Sequence, residues 1–533
     1  MENSQESHEP KQIQLLLLAT AQLLFLGMTA HAVETPPITM VINRVAQPPI
    51  IDGTVDDVCW ENAQWMPLQN VQGDAVKVGG RIALAFDETN LYAAFVLDEP
   101  TPDKINAPLG AVNTKEIWTG EILEWFINPV PQGAAYVQLG WNPGGARYNA
   151  KCDMQTSLES IVTWGPKWKA AAKIGKSGWT SEAVISFAEL GQKPPMNGAV
   201  WTMNLCRTRN IEGHEYSCLS STFSKQFRGF HFPRGFAEVC FNRVVRDALP
   251  PANSNIVRLT MSGNDNELLR AWGITFGPNL ARGGDAESAT TAWGPQVKVT
   301  PDAKRRGNAG YELDVINGRA TSDDLIPIVH GTTYRLSGYF RSADMQKPAS
   351  AYFGLQMYDA QKRMITLAAV VAHKETETTL TRAANVGDTV VAIQNGATWK
   401  GGCIAFNIMD EYRDLPNFDR SGEFTLVEKH EGFYEVRLQT PLTKSYPAGT
   451  RVREHAPWGA TLYWVADGWL TAEWEQYGTY IGGEAKFGGP TDKFWANAKY
   501  MRIFVQLGNY NRVPVKGAKL WIDDIRLEEI SVK

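Results

Sequence analysis

The chain has 533 residues, 44% of them hydrophobic and 20% charged, with a formal net charge of -5. That is an ordinary globular composition, and the length exceeds the roughly 100–200 residues of a single domain. The slight acidity and the lack of a dense Lys/Arg run argue against a nucleic-acid partner, and Lys304-Arg305-Arg306 reads as a short solvated loop.

The first element is an apolar run, Ile13 to Met28, preceded by Lys11 and followed by Ala30-His31-Ala32. A basic residue, an apolar stretch and a small-x-small site make a secretory signal peptide over residues 1–32, cleaved after Ala32. An uncleaved membrane anchor is the alternative reading. No later segment has the roughly 18 continuous apolar residues of a membrane helix, so no span is expected in the mature chain, and the expected location is secreted or periplasmic. The six cysteines include no CxxC pair, which disfavours zinc and redox motifs. A disulfide such as Cys206 with Cys218 is compatible with export.

From Ile38 onward the chain is short β-rich runs broken by Gly, Pro, Asn and Asp, among them Arg81 to Phe86, Leu91 to Leu97, Ile122 to Asn128, Trp179 to Ser186 and Trp201 to Arg207. Alternation of apolar and polar residues in such runs predicts half-buried antiparallel strands, hence an all-β protein of sandwich type. A first β-sandwich is expected over 33–245 and a proline-bearing linker over 246–253. A second jelly-roll-type sandwich is expected over 254–374 plus 455–533, interrupted by a small β insertion over 375–454. Tyr334 to Tyr358 and Trp458 to Trp464 are placed in one sheet system. The insertion carries the stretch Asp410-Glu411-Tyr412-Arg413-Asp414, for which the sequence suggests no function.

The chain holds 18 Trp, 17 Tyr and 21 Phe. Most of these rings serve core packing, but an aromatic face is also what the apolar C–H face of a pyranose stacks on, with carboxylates and amides meeting its hydroxyl rim. In Trp118-Thr119-Gly120-Glu121-Ile122-Leu123-Glu124-Trp125, a strand puts Ile122 and Glu124 on one face and Leu123 and Trp125 on the other. A carboxylate held among large apolar residues needs a partner: a cation, an arginine such as Arg147, or a sugar hydroxyl.

These phrases resemble the family 9 carbohydrate-binding module. Ile51-Asp52-Gly53 with Cys59-Trp60 is similar to its opening, and Ala83 to Tyr92 to its strand–turn–strand signature. Trp118 to Pro129 is the most specific phrase, extended by Gly178 to Ile185 and Phe230 to Phe236. The resemblance implies a β-sandwich that binds polysaccharide or oligosaccharide, in some members at the reducing end of xylan or cellulose chains, often with structural calcium. It implies Trp118 as the stacking ring and Glu124 as the hydroxyl acceptor, with Asn142 and Arg147 as looser polar contacts. Where the family carries a second aromatic wall, this chain reads Tyr216-Ser217-Cys218-Leu219. Leu219 takes the place of the tryptophan, and Tyr216 is the substitute. Loss of a wall removes about 1–3 kcal/mol of contact.

The second half, from Asn279-Leu280 through Ile326 to Arg341 and ending in Trp521 to Leu527, resembles the jelly-roll carbohydrate-binding modules of families 4, 16 and 22. That resemblance implies a calcium held by Glu287 and Asp523, whose oxygens suit a hard cation. Trp464, Trp469, Trp474, Tyr477 and Tyr480 are alternatively core or the lining of a sugar groove.

No GxSxG, HExxH or P-loop occurs, and no carboxylate pair stands out for glycoside hydrolysis. His214 and His231 read as structural. The expected function is therefore carbohydrate binding in polysaccharide recognition and catabolism. The alternative is a glycoside hydrolase or polysaccharide lyase with its site between domains. A haem-binding relative of the first sandwich is a third class, with no Met/His axial phrase to indicate it.

Overall fold

In the strand Ile122–Asn128, Leu123, Trp125 and Ile127 enter one core while Phe126 joins a separate apolar cluster on the other side. This is the two-residue period of a sheet carrying contacts on both faces. The structure, a computed structural model, describes residues 40–533 except 72–74, 111, 132, 222–228, 244–264, 288–291, 296, 316–317, 458–461, 466–468 and 509–512. The expected signal peptide, the linker and Trp458 lie outside the described residues.

The first sandwich has one sheet in the order Met40–Asn43, Ala237–Asn242, Val200–Arg209, Ile122–Asn128, Ala135–Trp141, Arg147–Asp153 and Thr156–Ser157. Glu215–Cys218 pairs with the far half of Val200–Arg209, and Gln69–Asn70 pairs with it in turn. The facing sheet runs Trp168–Ile174, Gly178–Ser186, Asn90–Asp98, Gly80–Phe86 and Met66–Pro67. Leu123, Trp125, Leu139, Trp141, Met203 and Leu205 pack between the sheets against Phe95 and Leu97.

The opening phrase Ile51-Asp52-Gly53 is a structural latch. The Glu182 carboxylate accepts from the Gly53 amide at 3.2 Å and from Trp60 Nε1 at 2.8 Å. Gly53 has φ +90°, and a Cβ there would lie 2.6 Å from the Ala172 backbone, so only glycine fits.

The second sandwich pairs two sheets. One runs Lys298–Thr300, Gly310–Asp314, Lys519–Val532, Thr333–Ser342, Glu475–Gly482; the other runs Arg319–Thr321, Tyr500–Leu507, Ala351–Tyr358, Met364–Ile365. Thr333–Ser342 and Ala351–Tyr358, expected in one sheet system, thus lie in opposite sheets. Leu462–Val465 pairs with the latter. A further six-stranded sheet, from Thr378–Thr379 to Arg451–His455, encloses its own small core around Ile393, Ile404, Phe406 and Val452. The Asp410 to Asp414 stretch fastens this unit to the sandwich. Asp414 accepts from Arg453 Nη2 at 2.6 Å, and the Tyr412 ring stacks on Phe487 at 4.4 Å.

All of this is β, as the sequence predicts. The longest helix among the described residues, Asp265–Ala271, packs with Trp272 into the first sandwich's core although it leads into the second. The two sandwiches meet through a buried polar contact. Arg335 Nε donates to Asp153 Oδ2 at 2.8 Å, and the Tyr480 hydroxyl donates to the same oxygen at 2.5 Å.

Candidate functional site

Register aligns five side-chain positions across the outer face of the first sandwich. Cys218 opposes Cys206, Cys206 opposes Glu124, Glu124 opposes Gly140, and Gly140 opposes Tyr148. At about 4.8 Å per strand the row is about 19 Å long. The next row runs Tyr216, Thr208, Ile122, with Thr208 between the other two.

Trp118 stands at the Tyr148 end of this face. It lies on the 3-10 turn Lys115–Thr119 just before the strand Ile122–Asn128. Ile117, fully buried with Ile122 and Ala146, anchors the turn. The indole is 41% exposed, and its ring meets that of Tyr148 edge-on at 5.1 Å. At the other side Tyr216 is 44% exposed, its ring parallel to His214 and edge-on to Phe230. The sheet thus offers an exposed aromatic side chain on either side of one carboxylate.

That carboxylate is Glu124, 5% exposed. Its partner is Gln138, whose Nε2 donates to Oε1 at 2.7 Å. Burial pushes its pKa up to about 7, and the Gln138 hydrogen bond offsets only part of that. Near neutral pH it exchanges between a hydroxyl-bearing and an acceptor-only form.

The structure does not bring Arg147 to Glu124. Tyr148 shares Glu124's face, so Arg147 points to the inner side of the sheet. There its Nη1 donates to the Trp168 carbonyl at 2.8 Å and its guanidinium lies over the Trp168 ring. Asn142 is also structural: it accepts from the Ala146 amide and donates to the Pro108 carbonyl. Leu219 is fully buried in the inter-sheet core and occupies no wall position. Glu121 belongs to a buried ion-pair group at the sandwich end, where Arg207 Nη2 reaches Glu99 at 3.1 Å and Glu121 at 3.4 Å. His231 Nδ1 bonds the Tyr136 hydroxyl at 2.8 Å, and burial lowers its pKa to about 4, so it stays neutral. Gln138 and Tyr148 were not singled out by sequence. Both lie on neighbouring strands at positions of Glu124's face, but strand order is not written in the sequence.

Glu287 and Asp523 clamp opposite ends of one loop. Glu287 accepts from the Asn308 amide and side chain, both at 2.8 Å, and Asp523 Oδ2 from the Arg305 and Arg306 amides at 2.7 and 3.1 Å. Calcium takes six to eight oxygen ligands. These carboxylates are already committed to N–H donors, and the described residues contain no cluster of three or more metal-ligating side chains. Of the aromatic cluster, Tyr480 is taken up at the Asp153 contact, Trp474 packs against Arg341, and the side chain of Trp464 lies outside the described residues.

Residues 51–218 match the family model described as "Carbohydrate family 9 binding domain-like". That match supports carbohydrate binding by the first sandwich. Two solved structures of a carbohydrate binding module family 9 from Caldicellulosiruptor kristjanssonii, one in complex with cellotriose and one with glucose, align at 16% identity and TM-score 0.29. They cover 40% of this chain and 100% of theirs. No curated protein matches the chain.

Proposed function

We propose that the chain is an exported protein that binds polysaccharide or oligosaccharide through the outer face of the first sandwich and serves polysaccharide catabolism without catalysing it. The observation that carries the reading is the exposed Trp118 beside Tyr148, with the poorly solvated acceptor Glu124 in the same register row as Tyr148. A pyranose stacked on the indole would direct its hydroxyl rim toward Glu124 and Gln138. Tyr216 would bound the site on the far side, and the resemblance to family 9 modules points to xylan- or cellulose-type chains. Export rests on the run Ile13 to Met28 and the Ala30-His31-Ala32 site.

A catalytic reading would put a hydrolase or lyase site between the sandwiches. Among the described residues the cleft there has a single acidic side chain, Glu475, in its wall, whereas glycoside hydrolysis uses two carboxylates.

The test is titration of residues 33–533 with xylo- and cello-oligosaccharides, alongside Trp118→Ala, with released reducing or unsaturated sugars assayed in the same mixtures. Binding without release, weakened about 5- to 150-fold in the variant through loss of about 1–3 kcal/mol, is expected. Release of sugars would overturn the non-catalytic reading, and binding indifferent to Trp118 would overturn the site.

A further inference from the structure

The strand Val200–Arg209 turns back into Glu215–Cys218, and the register of that hairpin sets Cys206 directly opposite Cys218. All six cysteines are free thiols, and among the described residues no other cysteine faces a cysteine across a sheet. Cys152 opposes Tyr136 and Ser157, Cys240 opposes Val41 and Val200, and Cys403 opposes Glu423 and His455. The Leu219 amide donates to the Leu205 carbonyl at 2.9 Å, one residue beyond the pair. Cys206 and Cys218 are therefore a non-hydrogen-bonded pair, the kind whose side chains stand closer together, with Cα atoms about 4.5 Å apart. A disulfide joins Cα atoms roughly 4.4–6.8 Å apart, so a pair of this kind falls inside the range.

Both side chains are fully buried, in the apolar cluster of Phe126, Phe230 and Phe236 on the outer side of the sheet. The Cys218 thiol donates to the Ser220 carbonyl at 3.0 Å. Desolvation, with Cys218 and Glu124 nearby, holds the Cys206 thiol well above its ordinary pKa. A thiol in this state is inert, because the thiolate is the nucleophile in disulfide exchange. The pair therefore reacts while the hairpin is still open, as the chain folds. A covalent link would matter most to Glu215–Cys218. That strand is held by Val200–Arg209 on one side and only by the two-residue Gln69–Asn70 on the other, and it carries Tyr216 two residues before Cys218.

We infer that Cys206 and Cys218 form a disulfide site, closed during folding by exchange with a low-molecular-weight or protein disulfide. The thiolate of one cysteine displaces a thiolate from the donor and leaves a mixed disulfide, and the thiolate of the other then displaces the second donor thiolate. Overall one S–S bond breaks and one forms. The two cysteine protons pass to the departing thiolates, so the cysteines are oxidised and the donor is reduced to two thiols. The link braces the base of the hairpin and closes the chain from 206 to 218, which removes entropy from the unfolded state. In the cell it needs an oxidising compartment, so its occurrence there rests on the export proposed above, whereas the pairing rests on the register alone.

The experiment produces residues 33–533 twice, sent to the periplasm of a bacterial host by a host signal peptide and kept in its reducing cytoplasm. Each preparation is denatured, alkylated and digested with trypsin without reduction. Trypsin cuts after Arg207 and Arg209, so a bridged Cys206 and Cys218 are read as two joined peptides. The periplasmic protein is expected to show that species, and two fewer free thiols than the six of the cytoplasmic protein. It should also melt several degrees higher, while Cys206→Ala combined with Cys218→Ala should melt alike from both compartments. Six free thiols in both preparations, or a bridge between any other cysteines, would overturn the pairing. Equal melting of the bridged and unbridged chains would overturn the brace. Should the double variant fail to fold, the peptide map and the two melting curves of the unaltered protein decide the matter. Because the host's signal peptide performs the export, these outcomes do not depend on how the chain's own first 32 residues are read.

Discussion

Asp153 and Arg335 stand 182 residues apart in sequence and meet at 2.8 Å with both side chains almost wholly buried. The pair joins the last residue of a first-sandwich strand to the face of a second-sandwich sheet, and Tyr480 completes the acceptor side. Removing one member of a buried ion pair leaves the other charge unpaired, at a cost of about 3–5 kcal/mol. Asp153→Ala should therefore lower the free energy of unfolding by that amount, read as a lower denaturation midpoint. Asp153→Leu combined with Arg335→Met should cost less than Asp153→Ala alone, since Glu528, the second carboxylate near Arg335 at 3.9 Å, keeps its pair with Arg526. Denaturant unfolding of the three variants decides it, and a double variant worse than the single one would show that the pair is net stabilising.

Glu124 makes stability depend on pH. Its folded pKa is raised to about 7, above the roughly 4.3 of an unfolded glutamate. The folded state therefore binds the proton more tightly than the unfolded state. Stability from this group is highest below the unfolded pKa and falls as pH rises through about 7. Glu124→Gln should flatten that part of the profile and raise the denaturation midpoint at pH 8 relative to the unaltered protein. Midpoints measured from pH 5 to pH 8 provide the comparison. An unchanged slope would mean that Glu124 is solvated.

Alternation in Ile122–Asn128 was enough to sort Glu124 from Leu123 and Trp125, and the structure keeps that division. What sits beside Glu124 was not legible, because it depends on which strands are neighbours. Arg147 looks like a partner by charge and nearness in sequence, yet its parity along Arg147–Asp153 sends it through the sheet to Trp168. Gln138 carries no charge to draw notice and is the actual donor. The phrase Ile51-Asp52-Gly53 was legible as a family opening, but its role as a latch depends on Glu182, about 130 residues later. The Asp153–Arg335 contact has no local signature at all, since neither residue breaks the pattern of its own strand.

The Glu287 and Asp523 carboxylates fasten the loop that enters Gly310–Asp314 by accepting from its backbone amides. A bound ion would stabilise the fold by mass action and its removal would lower the melting temperature. Chelation with excess EDTA should leave the melting curve of residues 33–533 unchanged, and calcium added back should not shift it. Asp523→Ala should lower the melting temperature equally with and without calcium, because the Arg305 and Arg306 amides lose their acceptor in both. A calcium-dependent shift in the unaltered protein would reassign the pair to a metal.

Leu219 and Tyr216 separate the two contributions that the sequence placed at one wall. Leu219 is fully buried between the sheets, so Leu219→Ala should cost about 2–5 kcal/mol of stability through the cavity it leaves. At temperatures where the variant remains folded, its glycan affinity should be unchanged. Tyr216 is 44% exposed on the outer face, so Tyr216→Ala should leave the denaturation midpoint nearly unaltered. It should weaken glycan binding by up to about tenfold, as the loss of one flanking ring implies. Paired unfolding and titration curves for both variants read the two effects independently. Affinity lost in Leu219→Ala but kept in Tyr216→Ala would return the second wall to position 219 and require the end of Glu215–Cys218 to turn outward when a sugar binds.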